Sequence, residues 1–364
     1  MRSNMHAAEI PSTVRQCGSP AAIGRARRQA LRFALGAAVV SALPACGSLP
    51  VSLPTSLPAL RDRMQPYAPA CFRARRPDGA LLYLFGTLHI GLASFYPLPP
   101  NVAKAFEQSS QLAIEIDARK HWSELVAGFR PYVRLPPELT LADLFDTELL
   151  NEIRNYFKYT DEQWTEMLPM QPWWLANFRF GTPRDSLEGV RADYGVEQYL
   201  LGAARQRDMA IVELERPIDQ VLGLAGGSLP EQCTQLRNWF ALIKRRGGLM
   251  SDLLTAWRRG DLAALSQLKA ELWGDDQHQI SLRTRFFSDR DTRMAELLSK
   301  LAVNGQPIFV AVGAYHLVDD DSLLAALRQR GFEVERLDHD ANSMARLHPT
   351  HSTNSTNSTN TFTA

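Results

Sequence analysis

The chain has 364 residues, 45% of them hydrophobic and 22% charged, enough to bury a substantial core as one large domain or two small ones. Its formal net charge of +1 hides an asymmetry: the first 45 residues hold six Arg and one Glu, which leaves 34 basic against 38 acidic groups, or −4, for the rest. That balance argues against a nucleic-acid-binding surface, which shows clustered excess Lys and Arg.

The segment "RARRQALRFALGAAVVSALPAC" carries Arg25, Arg27, Arg28 and Arg32, then an apolar run, then small residues before Cys46. The run is shorter than the roughly 20 residues that span a bilayer, so it reads as an export signal over 1–45. Leu43-Pro44-Ala45-Cys46 resembles the bacterial lipoprotein box, in which the cysteine is lipidated and becomes the new N-terminus. Gly47 after that cysteine resembles lipoproteins sorted to the outer membrane, facing the periplasm. Arg27-Arg28 leaves twin-arginine and general export both open. The uncharged Ser-Leu-Pro repeats of 48–60 suit an extended tether over 46–65. In an oxidising compartment Cys71 and Cys233 form either a disulfide or two separate buried thiols.

The folded body is expected over 66–340, as one domain. In chain order, "ALLYLFGTLHI" and "QLAIEID" are short apolar runs bounded by turn signals, as buried strands should be. The spacing of Leu141, Leu144, Phe145, Leu149, Ile153 and Tyr156 predicts a helix across "LADLFDTELLNEIRNYF". Further helices are predicted over 196–207, 231–245, 262–272 and 290–301. "MAIVELE" and "PIFVAVG" read as buried strands and "FEVERL" as a more exposed one. These elements predict an α/β fold, its central sheet built from βα units at both ends of the domain and the helical middle forming a cap or insert. The polar repeats of 351–364, uncharged beyond their histidine, place a disordered low-complexity tail over 341–364.

Two phrases carry the chemistry. "LLYLFGTLHIG" and "IFVAVGAYHLV" both run from an apolar strand into Gly, two residues and His, placing His89 and His316 on matching strand-to-loop turns. The expected role of each glycine is to permit a sharp turn through unusual backbone angles. Residues just past such strands line the carboxyl edge of an open α/β sheet, where ligands bind. In "LAIEID" the strand period of two puts Glu115 and Asp117 on one face, and Glu213 and Glu215 repeat the arrangement. Buried carboxylates need a cation, a donor or water; a strand end emerging into solvent is the alternative for each pair. Two histidines and a carboxylate suit a divalent metal with an open position, Zn, Mn or Co. No HExxH, GxSxG, Walker loop or GxGxxG occurs.

These residues resemble the TraB/GumN family, which is related to the Tiki proteases. The likeness runs through "LYLFGTLHIG", "LAIEID", "LPMQPWWLANF" and "DYGVEQYLLGAARQRDMAIVELE". It continues through "DRDTRMAELLSKL" and "FVAVGAYHLVDDDSLLAALRQRGFEVERL". The resemblance implies metal-site roles for His89, Glu115 and His316, and matches Glu215 and Arg290 to the family's second acidic strand and its Arg before the final helix. It further implies a metal-dependent protease using Mn or Co. Three departures stand out: acids follow His316 where the family has Gly, Asp291 follows Arg290 where it favours Asn, and bulky Tyr315 precedes His316.

The leading expectation is a lipid-anchored envelope metallohydrolase acting on peptide or protein substrates, with Glu215 or Asp117 as general base or water-orienting group and Arg290 steadying an oxyanion. Alternatives are a non-catalytic metal or haem binder with Tyr315 as axial ligand, and a metal-free hydrolase in which a histidine with a carboxylate activates water. Trp173 and Trp174 are expected in the core, and His121 in solvent.

Overall fold

The structure is a computed structural model and describes residues 67–177, 189–274, 277–302 and 305–337. The export signal, Cys46, the tether and the C-terminal tail lie outside the described residues. Strands β1 (Cys71–Arg75) and β2 (Leu81–Thr87) form an antiparallel hairpin, and α1 (Pro100–Gln108) leads into β3 (Gln111–Ile114). Five helices follow: α2 (Trp122–Phe129), α3 (Leu141–Leu144), α4 (Thr147–Phe157), α5 (Asp161–Met167) and α6 (Pro172–Asn177). Then come α7 (Val196–Gln206), β4 (Ala210–Glu213), α8 (Pro217–Ala225), α9 (Leu229–Arg245), α10 (Leu249–Arg259), α11 (Leu262–Trp273) and α12 (Gln277–Arg283). A π-helical turn, Thr284–Ser288, runs into α13 (Asp289–Leu301), and β5 (Ile308–Gly313), α14 (Leu323–Arg328) and β6 (Glu333–Arg336) complete the chain.

The six strands form one sheet in the order β4-β3-β5-β2-β1-β6. The four strands β4, β3, β5 and β2 are mutually parallel, so their carboxyl ends share one edge. The predicted α/β class and central sheet are what the structure shows. Side-chain alternation divides the core. Tyr83, Phe85, Leu112, Ile114, Phe309 and Ala311 face α1, α7 and α10. Leu82, Leu84, Ala113, Ile308, Val310 and Val312 face α13 and α14. A sheet covered on both faces must be apolar on both, which is why its strands read as continuous apolar runs. Burying each large side chain, such as the fully buried Phe85 and Phe309, contributes about 1.5–3 kcal/mol.

The helical insert has its own core. Helices α2, α4, α6, α8 and α9 pack Phe129, Ile153, Trp173, Trp174, Trp239 and Phe240 together. Trp173 and Trp174 are thus core residues, as their apolar context implied.

Several expectations need correction. The helix predicted across 141–157 is two helices, α3 and α4, because Phe145 turns extended (φ −136°, ψ 150°) and Asp146 caps a new start by accepting the Leu149 N–H at 2.8 Å. Strand β4 is a partly exposed edge strand, paired only with β3. Strand β1, whose alternating charges mask its register, joins the sheet between β2 and β6. Cys71 and Cys233 are free thiols in separate cores, so no disulfide joins them. Among the described residues no helix is long and apolar enough to cross a membrane.

Candidate functional site

The parallel edge places one chemistry-bearing residue just past each of four adjacent strands: Glu215 after β4, Glu115 after β3, His316 after β5 and His89 after β2. Backbone pairing continues past the named strands, with Leu214 N–H donating to Ile114 O at 2.8 Å and Glu215 N–H to Glu115 O at 2.9 Å. That extension sets the two glutamates side by side.

The glycines of the two Gly-x-x-His turns serve a different purpose from the one expected. Neither has a positive φ. A Cβ at Gly86 would stand 3.0 Å from the Ala314 Cα, and one at Gly313 would stand 3.2 Å from Glu115 Oε1. Both positions are small so that neighbours can approach closely, and Gly313 N–H donates to Glu115 Oε1 at 2.6 Å.

Arg290 organises the carboxylates. Its Nε donates to Glu215 Oε1 at 2.6 Å, and its Nη2 to Glu215 Oε2 at 2.6 Å and to Glu115 Oε2 at 2.7 Å. Its Nη1 donates to Phe286 O at 3.0 Å, within the π-helical turn. The Gln220 amide from α8 donates to Glu215 Oε2 at 2.5 Å and to Glu115 Oε2 at 3.2 Å. All three charged groups are buried, a situation tolerable only because each is paired. Burial alone would lower the Arg290 pKa, yet the bonds and charges of Glu215, with Glu115 beside them, carry it above its ordinary 12.5. Burial alone would raise Glu115; His316, Arg290 and His89, with the Gly313 N–H, overcome it and hold that carboxyl well below its ordinary 4.5. With most of its donors committed to carboxylates, Arg290 acts here as their clamp.

The two histidines differ. His316 is buried, its side chain 4% exposed, with Nδ1 2.6 Å from Asp291 Oδ1 and Nε2 3.8 Å from Glu115 Oε1. The Phe287 ring meets it edge-on at 5.2 Å. Burial pushes the Asp291 carboxyl above its ordinary 3.8, with His316, Lys269 and Arg290 opposing. His89 is 60% exposed, its Nδ1 2.7 Å from Glu197 Oε2. The Glu197 carboxylate pushes its pKa up to about 9 against the cost of desolvation, and Glu115 adds to the rise while Arg290 opposes it. His89 therefore lies within the field of the glutamate–arginine cluster.

Asp117 does not join this group. Its carboxylate pairs with Arg205 and accepts the Lys120 N–H at 3.3 Å. The strand ends at Ile114, so the period of two no longer governs Asp117. Glu213 likewise turns to Lys120 at 2.6 Å and His121 at 2.7 Å. His121, expected in solvent, bridges Glu213 and Glu124. The acids after His316 also look elsewhere: Asp319 pairs with Lys269 at 3.0 Å and Asp321 accepts from Ser288 at 2.6 Å. Asp319 has φ 77°, in the left-handed region where glycine is most at ease. The Tyr315 ring packs against Trp273 and Phe287, which gives an axial-ligand role no support.

The expected three-residue metal site is not closed. Among the described residues no group of three or more His, Cys, Asp or Glu side chains is gathered closely enough to hold a metal ion. The donors present suit a divalent ion in kind, and His316 Nε2 and Glu115 Oε1, 3.8 Å apart, are spaced as two ligands with bonds of about 2.0–2.2 Å can be.

An α/β fold with an acid- and histidine-lined carboxyl edge is thus the class of protein that these observations define. Residues 70–336 match the model of the TraB/PrgY/gumN family, and the chain belongs to that family. An uncharacterized protein YbaP of Escherichia coli K12 is 24% identical over 257 residues, covering 69% of this chain and 89% of that protein. The metalloprotease TIKI2 of Xenopus tropicalis is 23% identical over 313 residues, covering 70% of this chain and 57% of that protein. No solved structure gives a significant match. The family and the distant likeness to TIKI2 link the chain to a hydrolase- and protease-like superfamily.

Proposed function

We propose that the protein is a hydrolase of the bacterial cell envelope that cleaves peptide bonds at the edge formed by His89, Glu115 and His316. The observation that carries this reading is the approach of His316 Nε2 to Glu115 Oε1 at 3.8 Å, beside the buried Arg290 clamp. A lipid at Cys46 would tether the domain to the outer membrane on its periplasmic side, with a periplasmic peptide or protein as substrate.

His316 and Glu115 would hold a divalent ion, Mn, Co or Zn, with His89 as the third donor. When bound, such an ion polarises a carbonyl and makes its water a better nucleophile. Glu115 stays anionic because Arg290 and the Gly313 N–H favour its charged form. Glu215, locked on Arg290 and Gln220, keeps that guanidinium aimed at Glu115. His89 is open to solvent, so its Nε2 is the nitrogen free to reach such an ion or an incoming substrate.

One observation favours a second, metal-free reading. Asp291 holds Nδ1 of His316 at 2.6 Å, as a carboxylate orients a general-base histidine, so Nε2 can take a proton from water directly. The test is cleavage of a fluorogenic peptide library by the purified protein before and after exhaustive chelation and resupply of Mn, Co or Zn. Activity lost on chelation and restored by one ion supports the metal reading; activity that survives chelation supports the second. Cleavage indifferent to His316→Ala contradicts both.

A further inference from the structure

The two histidines reach the edge from strands that are neighbours in the sheet, and a carboxylate meets each at the same ring atom. Glu197 is the second residue of α7, and its Oε2 lies 2.7 Å from His89 Nδ1. Its other oxygen accepts from Thr87 Oγ1 at 2.9 Å, so the carboxylate is itself fixed. Asp291 is the third residue of α13, with Oδ1 2.6 Å from His316 Nδ1. These helices cover opposite faces of the sheet, yet each sends an acid from its first turn over the edge to one imidazole. Glu197 follows a true helix start at the extended Gly195 and gains from the N-terminal end of the helix dipole, whereas α13 continues the π-helical turn without a break.

The loop carrying His89 is built to hold that contact. Val196 N–H donates to Leu88 O at 2.9 Å, and Gly91 and Arg191 exchange backbone bonds at 3.0 and 2.9 Å. A Cβ at Gly195 would stand 2.5 Å from His89 O, so only glycine lets the start of α7 approach this closely. On the other side, Asp291 Oδ2 is buried with no hydrogen-bond partner among the described residues. Such an orphan is costly, which argues that Asp291 is retained for what its other oxygen does.

We propose that Glu197 and Asp291 are positioning residues, each accepting the Nδ1–H of one histidine and leaving Nε2 of both rings as the reacting nitrogen. An ionised carboxylate can only accept, so each bond selects the tautomer with its proton on Nδ1. This assignment rests on the hydrolase reading for its purpose but not for its geometry.

The test separates the two. Long-range 1H–15N correlation spectra of the metal-free, 15N-histidine-labelled protein, at a pH where the rings are neutral, report which nitrogen carries the proton. His89 carries it on Nδ1 in the wild type. Glu197→Ala moves it to Nε2. Peptide turnover falls about 10- to 100-fold in Glu197→Ala with melting temperature little changed. Asp291→Ala gives the parallel readout for His316; should that buried variant fail to fold, Glu197→Ala decides alone. A proton on His89 Nε2 in the wild type, or a tautomer unmoved by Glu197→Ala, overturns the proposal. The predicted tautomers in a wild type that cleaves no peptide would instead sink the hydrolase reading and leave the positioning assignment standing.

Discussion

His89 and His316 stand at the same point of two copies of one local pattern, and their surroundings differ in almost every respect. His316 is walled in by Phe287, Asp291 and Glu115, its side chain 4% exposed. His89, 60% exposed, has one close carboxylate partner, Glu197. The contrast teaches that a repeated phrase fixes where a side chain leaves the sheet, while the packed helices decide what it meets. A site with one rigid, buried imidazole and one open to solvent has a fixed wall and an accessible one.

The sharpest way to break this picture is at the buried wall. Arg290→Met removes the cation bonded to both Glu115 and Glu215. Stability to urea should fall by about 3–5 kcal/mol, the usual loss when buried charges lose their partner. A fall under about 1 kcal/mol would mean that water reaches the pair. Next, His316→Ala strips Asp291 of its bond partner and should cost about 1–3 kcal/mol. His89→Ala, at an exposed pair, should cost under about 0.5 kcal/mol. Equal losses at the two positions would erase the distinction between the walls.

Acidity probes the same contrast more gently. Glu115 is held below its ordinary 4.5, so its contribution to stability is complete above pH 4.5 and is lost as pH falls through the lower folded value. Glu115→Gln should flatten that acid limb of the unfolding curve. His89 runs the other way. Its pKa, raised from 6.5 to about 9, gives stabilisation complete below pH 6.5 and lost as pH rises through about 9. Exposure keeps that effect small, so the imidazole's NMR titration is the better readout, and Glu197→Gln should draw its midpoint down toward 6.5. An unmoved midpoint would remove Glu197 as its cause.

Much of the frame was legible in the sequence because burial on both faces leaves an unmistakable trace. "LLYLFGT" and "IFVAVG" are continuous apolar runs, and each sits as an inner strand of the sheet. The convergence of Glu115, Glu215, Arg290 and His316 followed from the resemblance and from the rule that loops past parallel strands share an edge. What was hidden depends on partners distant in sequence. Nothing near Asp117 announces Arg205, and nothing near Glu197 announces His89. Asp291 was visible only as a departure from the family's Asn, its bond to His316 being unreadable without the fold. The glycines misled for a physical reason: a residue kept small for a neighbour's approach looks, in one dimension, like one kept for backbone freedom.

The most direct measurement is peptide turnover by purified wild type, His89→Ala and His316→Ala, assayed side by side with Mn supplied. Wild type should cleave, and each variant should lose at least about 100-fold, the scale of a missing proton-transfer or ligand group. Cleavage by either variant at the wild-type rate would contradict a shared reacting edge, as would a folded wild type that cleaves nothing.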